Sequence, residues 1–258
     1  MRERSGPRLY VTDDLIAGRA VGLAAGQAHY LKNVMRLAPG AAVVLFNGRD
    51  GEWSARIDAF GRNACAVSVG QRMRPQAAEP DVWLLFAPIK RAPLDFLVQK
   101  AVELGVSRLQ PVNTGHTDVS RVNTDRLRAN AMEAAEQCGR LSLPEVRDLV
   151  AFDAALDGWP GGRRLLVCAE SGPARPIGDV LAETRSSEGG GAAALMTGPE
   201  GGFTTSELDA LRNLPFVTPV SLGPRILRAE TAALAVLACW QSVLGDWRSV
   251  RIQPSKAT

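Results

Sequence analysis

The sequence lacks the patterns that metal centres, disulfide frameworks and membrane spans require. Its four cysteines lie far apart without a C-x-x-C pair, and only His29 and His116 could supply imidazole ligands. We therefore expect no metal site and reduced thiols. The longest apolar run near the C-terminus, AALAVLACW, is far shorter than the roughly 20 residues that span a bilayer. No apolar h-region follows the basic N-terminus, so we expect no signal peptide, no membrane partner and a cytoplasmic location.

Positive charge is concentrated at the start of the chain. The whole sequence has a net charge of +3, but residues 1–75 hold 11 basic against 6 acidic residues, and the remainder holds 19 against 21. A basic module joined to a nearly neutral one suggests a polyanionic partner such as nucleic acid. A solvated surface with a few extra arginines would have the same composition.

The pattern of apolar residues changes near residue 78 and predicts two domains. Short β segments separated by turn signals, with one helical stretch at 28–37, predict a small β-barrel over residues 1–77. The segment RPQAAEP, 74–80, is the best candidate linker. Beyond it, over 78–250, strands alternate with helices, which predicts a mainly parallel α/β sheet. The predicted strands are 81–89, 108–113, 163–169, 191–198 and 216–223, and the predicted helices are 92–105, 123–138, 176–185, 205–214 and a last one ending near 247.

Two glycine-rich loops follow predicted strands, at the sheet edge where α/β proteins bind ligands. The first, TGPEGGFTTSE at 197–207, matches neither G-x-G-x-x-G nor G-x-x-x-x-G-K-[ST], which excludes the standard dinucleotide and P-loop sites. Thr204 and Glu207 in it fit a capping box, so a helix should begin there. The alternative is that the glycines only form a tight structural turn.

The second loop, SLGPRILRAETAAL at 221–234, places Arg225 and Arg228 before a predicted helix. The N-terminus of a helix carries partial positive charge, so cations are disfavoured there. Residues that break a local rule are often functional, and we expect a ligand or a phosphate near Arg228. Alternatively, Arg228 pairs with Glu230 or extends into solvent.

Four segments together resemble the motif set of a known family. They are FLVQKAVELGV, EAAEQCGR with LPEV, TGPEGGF and LGPRILRAETAAL, in the order that the family has them. The segment AHYLKNVMRLAPGAAVVLFNGRDGEW is similar to that family's PUA-like RNA-binding domain. Over about Arg8 to Trp247 the chain thus resembles the RsmE-type 16S ribosomal RNA uridine-N3 methyltransferases of the SPOUT superfamily.

This resemblance implies a fold that the pattern of strands and helices would not predict. Alternation alone predicts an unknotted doubly wound sheet, because knots are almost absent from folds. The resemblance instead implies a SPOUT-type α/β fold with a deep trefoil knot, preceded by a PUA-like β-barrel. It also implies a homodimer that binds S-adenosylmethionine and methylates N3 of one uridine in the 16S rRNA of the small ribosomal subunit.

The resemblance also implies roles for particular residues. Uracil N3 must lose a proton, so the site needs a base or groups that stabilise the anion; Glu200 is the candidate base and Arg228 the candidate stabiliser. Glu200 could equally support the loop or the helix dipole. The implied cofactor residues are Met196, Thr197, Gly198, Gly202, Leu222, Gly223, Ile226 and Leu227. The candidate RNA contacts are Arg8, His29, Lys32, Arg36, Arg49, Lys90 and Arg225.

Two other functions remain compatible with the sequence. One is a SPOUT enzyme that acts on another RNA or on a ribose 2′-hydroxyl. The other is a non-catalytic RNA-binding assembly factor, although intact glycine loops and both arginines argue against it. The segment at 115–123 has no predicted role.

Overall fold

The computed structural model describes residues 6–119, 121–188 and 191–248. Contacts divide the chain into two compact units. The first unit takes the chain up to Ala78 together with Met132–Leu143, and the second takes Glu79–Ala131 together with the chain from Pro144 onward.

The first unit contains a five-stranded sheet with the order β1-β3-β4-β5-β2. β1 runs parallel to β3, and the other neighbouring strands are antiparallel. Apolar side chains from these strands form one core cluster with Leu31 of the helical stretch. The strands are β1 (Arg8–Tyr10), β2 (Ala20–Leu23), β3 (Ala42–Phe46), β4 (Glu52–Phe60) and β5 (Cys65–Arg74). The sequence patterns predicted all of them except the three-residue β1.

The helical stretch of the first unit is less regular than its sequence pattern predicts. α1 (Ala25–His29) continues as a π-helix, Tyr30–Val34, in which the Met35 N–H donates to the carbonyl oxygen of Tyr30. A regular helix over 28–37 would place Val34 and Met35 on one side with Leu31, but here Leu31 is buried while Val34 is 61% exposed and Met35 is 41% exposed.

The second unit contains a sheet in which every neighbouring pair of strands is parallel, as predicted. The strand order is β11-β13-β10-β12-β6-β7-β8, and β9 pairs with β7. The strands are β6 (Val82–Phe86), β7 (Arg108–Asn113), β8 (Glu145–Val146), β9 (Val150–Ala151), β10 (Arg164–Cys168), β11 (Arg175–Pro176), β12 (Ala193–Thr197) and β13 (Val217–Ser221). Since β13, β10 and β12 are neighbours, their carboxyl ends lie together.

Helices follow most of these strands. β6 and β12 are almost wholly apolar because the sheet interior is covered on both faces. The helices are α2 (Arg91–Glu103), α3 (Thr124–Cys138), α4 (Phe152–Leu156), α5 (Ile177–Glu188), α6 (Thr205–Arg212) and α7 (Ala229–Val243), with a 3-10 turn at Asp246–Arg248. In the described part of the chain, no helix is both long and apolar enough to cross a membrane.

Candidate functional site

A cavity of about 140 Å³ lies at the carboxyl ends of β10, β12 and β13. Its wall consists of the ends of these strands, the segments that follow them and the first turn of α7. Six of the eight predicted cofactor residues line it, namely Thr197, Gly198, Leu222, Gly223, Ile226 and Leu227. The two glycine loops therefore meet at one site, as expected from their positions after parallel strands.

Two observations indicate that this cavity accepts a ligand. Gly223 has a φ of 106°, and a Cβ added there would meet no atom within 4 Å, so it would project into open space beside the wall. Thr197 is 2% exposed, and its Oγ1 is buried without a hydrogen-bond partner within the described chain. A buried polar atom in a native protein normally has a hydrogen-bond partner. A ligand with polar groups would supply the missing partner for Thr197.

The other two predicted cofactor residues, Met196 and Gly202, do not line this cavity. Met196 is fully buried in the apolar cluster of the second unit, because the strand β12 is enclosed by that core. Gly202 has a φ of 68°, and a Cβ there would lie 2.8 Å from Oε2 of Glu170. Gly202 therefore allows the close approach of Glu170 and does not itself contact the cavity.

Three residues after β10 line the cavity although the sequence analysis did not select them: Cys168, Ala169 and Glu170. Burial raises the pKa of the Cys168 thiol to about 12, with a smaller contribution from Cys239. Cys168 is thus a neutral wall residue and not a nucleophile. These residues could have been selected from the sequence, because they lie at the end of the predicted strand 163–169, where ligand-binding loops are expected.

The loop between β12 and α6 is held by its own cap and by the segment after β7. The predicted capping box is present: Thr204 Oγ1 accepts from the N–H of Glu207, whose carboxylate accepts from the N–H of Thr204. The Glu207 carboxylate also accepts from the N–H of Gly115 at 2.8 Å. Nδ1 of His116 lies 3.0 Å from the Gly201 carbonyl oxygen. Since a carbonyl oxygen only accepts, this nitrogen carries the proton.

The segment 115–123, which had no predicted role, thus supports the glycine loop through its first residues. One of its residues, Ser120, lies outside the described chain.

The charged candidates at this site occupy different positions. Arg225 lines the cavity with an exposed side chain. Arg228 is the N-cap residue of α7 and makes no side-chain capping bond. It is exposed and forms no ion pair with Glu230 or with any other described carboxylate. Glu200 is exposed in the first glycine loop but does not line the cavity.

Arg8 belongs to the interior of the first unit, and this corrects its assignment as an RNA contact. Its side chain is 15% exposed, and its Nε donates to Glu52 at 2.6 Å. The two terminal nitrogens donate to the carbonyl oxygens of Ala135, Glu136 and Arg140 at 2.8–2.9 Å. Four of the five N–H groups of this guanidinium are engaged inside the unit, so its position is explained by these internal bonds.

Two of the predicted RNA contacts, His29 and Lys32, line a groove of about 70 Å³ in the first unit. The groove lies between the helical stretch and the turn that joins β4 to β5. It also includes Asn33, Phe60 and Arg62, and no acidic side chain lines it. Neither Lys32 nor Arg62 has an ion-pair partner among the described residues.

The remaining RNA candidates are exposed and do not line this groove. Arg36 adopts a φ of 54°, the one described non-glycine residue with a positive φ. Arg49 donates to Asp14 and to the carbonyl oxygen of Thr12. Lys90 is the N-cap residue of α2 in the second unit.

Comparisons with known proteins agree on one family. A family model described as an RNA methyltransferase domain matches residues 77–241, and one described as an RNA methyltransferase PUA domain matches residues 23–69. The chain is 31% identical to the ribosomal RNA small subunit methyltransferase E of Rickettsia conorii over 90% of this chain and 93% of that protein. It is also 31% identical to the Synechocystis protein of the same name, over 90% and 76% of the two chains.

A solved structure has a similar fold. It is the ribosomal RNA small subunit methyltransferase E of Neisseria gonorrhoeae bound to S-adenosylmethionine, with a TM-score of 0.83 and 29% identity over 94% of this chain and 99% of that chain.

Proposed function

This chain belongs to the ribosomal RNA small subunit methyltransferase E family of RNA methyltransferases, and from this membership we propose that it methylates N3 of a uridine in 16S rRNA with S-adenosylmethionine as the donor. The observation that carries the proposal is the cavity formed by both glycine loops. Parallel α/β sheets bind ligands at their strand ends, and the family has a member solved with S-adenosylmethionine bound.

The residues of the cavity fit an adenosine-containing cofactor. Main-chain N–H and C=O groups of the loops at Thr197–Gly198 and Leu222–Gly223 can pair with the edge of an adenine ring. Side chains of Ile226 and Leu227 supply an apolar surface. Gly223 lines the cavity with a φ of 106°, a backbone conformation that side chains other than glycine rarely adopt.

When bound, the cofactor supplies a methyl group on a sulfonium cation, and the protein must position the uracil and remove its N3 proton. We propose that the exposed guanidinium of Arg228 stabilises the negative charge that develops on the uracil oxygens. Glu200 is the proposed acceptor of the proton; its exposed position leaves its carboxylate free for this role or for supporting the loop. Alignment of the two reactants can itself supply about 7–11 kcal/mol.

We propose that the first unit holds the RNA through the groove that contains His29 and Lys32. Cations without a carboxylate partner remain available for phosphates, and Arg62 adds a third basic group. Arg36, Arg49 and Lys90 are exposed and stay among the proposed contacts. Such binding should weaken as salt increases, because each phosphate contact releases counterions.

Arg225 lines the cavity, and its exposed guanidinium could reach either the RNA or the cofactor.

Finer features of the fold are also proposals. We propose a deep trefoil knot in the second domain, 78–250, and a closed PUA-like barrel in the first, 1–77. The similarity in fold to the Neisseria enzyme supports both.

We further propose a homodimer in the cytoplasm. Exposed apolar side chains support a subunit interface, since Ile226 is 92% exposed and Trp247 is 54% exposed. Analytical ultracentrifugation tests the dimer directly.

The decisive experiment uses 16S rRNA from a strain in which the gene is deleted. The purified protein and S-adenosylmethionine should add 3-methyluridine, detected by mass spectrometry of the nucleosides, and Gly223→Val should not. Methylation of a ribose 2′-hydroxyl would favour the other enzyme. Cofactor-independent binding of RNA without any methylation would favour an assembly factor.

A further inference from the structure

Glu170 is the one acidic side chain that lines the cavity, and the first glycine loop is shaped around it. It follows β10 directly, and its carboxylate lies against the main chain of Gly202, where a Cβ would be 2.8 Å from Oε2 and 3.0 Å from Oε1. Gly202 itself is buried and has a φ of 68°. A carboxylate is thus held between the end of one strand and the loop after its neighbour.

This carboxylate has no partner within the described chain. It makes no hydrogen bond and no ion pair, whereas the acidic side chains Glu52 and Asp81 are paired with arginines. Partial burial raises the pKa of the Glu170 carboxyl above its ordinary value of 4.5. The side chain is exposed and has no countercharge, so a cationic ligand in the cavity could pair with it without breaking an existing contact.

The proposed methyl donor has the complementary charge. S-adenosylmethionine carries a sulfonium and an α-ammonium group, and the other wall residues are apolar, polar or main chain except for Arg225. We propose that Glu170 recognises a positive charge of the methyl donor and makes the cavity prefer it over uncharged adenosine thioethers. This inference rests on the proposed function, which supplies the identity of the ligand.

The test measures affinities by calorimetry on the full chain with three ligands. They are S-adenosylmethionine, S-adenosylhomocysteine, which lacks the sulfonium, and 5′-methylthioadenosine, which carries no charge. Glu170→Gln keeps the shape of the side chain and removes its charge. It should lower the affinity for S-adenosylmethionine about 10-fold or more, as expected for a bond to a charged group, and leave that for 5′-methylthioadenosine unchanged.

Binding of S-adenosylhomocysteine shows whether Glu170 contacts the sulfonium or the α-ammonium group. A loss for S-adenosylmethionine alone identifies the sulfonium, and an equal loss for S-adenosylhomocysteine identifies the ammonium. An unchanged affinity for S-adenosylmethionine would overturn the inference. So would an equal loss for 5′-methylthioadenosine, because the residue would then act through the loop. Failure of the wild-type protein to bind S-adenosylmethionine would instead overturn the proposed function.

A matched control and a pH series complete the design. Asp179→Asn removes an exposed carboxylate of the second unit outside the cavity and should leave all three affinities unchanged. Because only the ionised carboxylate attracts a cation, affinity for S-adenosylmethionine should fall in the wild-type protein as pH decreases through the raised pKa of Glu170. A pH dependence that is identical in Glu170→Gln would contradict the inference.

The other titratable groups near Glu170 do not obscure this comparison. Cys168 stays neutral because its pKa is raised to about 12. The other charged or titratable groups nearby are Arg225 in the wall, Arg212, which donates to the main chain of Ser171, and His116, which contacts the loop. All three are present in both proteins, so the comparison isolates Glu170.

Discussion

Replacing Arg8 by Met should destabilise the first unit without changing the chemistry of RNA binding. The substitution removes one charge-assisted hydrogen bond to Glu52 and three bonds to main-chain carbonyl oxygens. Removing one partner of a buried ion pair costs about 3–5 kcal/mol. Glu52 retains Arg74, which donates to both of its oxygens, so we expect a value near about 3 kcal/mol. That is a large part of a typical stability of about 5–15 kcal/mol.

Hydrogen exchange measured by mass spectrometry localises this effect. Amides of β3 and β4 should lose protection in Arg8→Met, while the amides of β6 and β12 keep theirs. Arg72→Met is the matched control, since Arg72 is exposed on β5 and its replacement should change stability by less than about 0.5 kcal/mol. Unchanged protection in Arg8→Met, together with a weaker salt dependence of RNA affinity, would refute the structural role.

The same substitution has a pH dependence whose sign follows from Glu52. Burial alone would raise the pKa of Glu52, but hydrogen bonds from Arg74 and Arg8 outweigh it and hold the pKa below 4.5. A depressed pKa contributes stability above the unfolded value and loses it as pH falls through the folded value. The difference in stability between Arg8→Met and the wild-type protein should therefore shrink below about pH 4.5. A difference that grows on acidification would contradict this account.

Three further substitutions test the second unit. Gly223→Val should abolish calorimetric binding of S-adenosylmethionine, because a φ of 106° disfavours a β-branched residue and the loop that lines the cavity would have to move; normal binding would remove this loop from the site. Gly202→Ala should weaken the same binding by displacing Glu170. In the double variant with Glu170→Gln, the two losses of affinity should be less than additive; full additivity would show that the two residues act independently. Arg228→Ala should lower the turnover of RNA methylation far more than cofactor affinity, and equal losses would indicate a structural role.

Local signals in the sequence were enough to predict the elements that hold the site. The capping box of Thr204 and Glu207 depends on residues three apart, and it starts α6 as predicted. The apolar run of β12 and the glycines that follow it indicated a buried parallel strand with a ligand loop. These features depend on short-range geometry, so one sequence contains the information.

The contacts that depend on strand order could not be predicted in this way. β10, β12 and β13 are neighbours although helices and loops separate them in the chain. Only that order brings Glu170 against Gly202 and His116 against the carbonyl oxygen of Gly201. The role of Arg8 could not be predicted for the same reason. In the composition it is one more basic residue, but its guanidinium donates to carbonyl oxygens more than 120 residues away in the chain.

The composition of the cavity wall suggests how selectivity is divided. Most of the wall is main chain and apolar side chains, which can match the shape and the hydrogen-bonding edge of an adenosine but cannot recognise the positive charge of the methyl donor. Arg225 and Glu170 are the charged side chains in it. Glu170 forms no hydrogen bond or ion pair within the described chain, so its place in the wall is explained by ligand charge rather than by a contact that stabilises the fold.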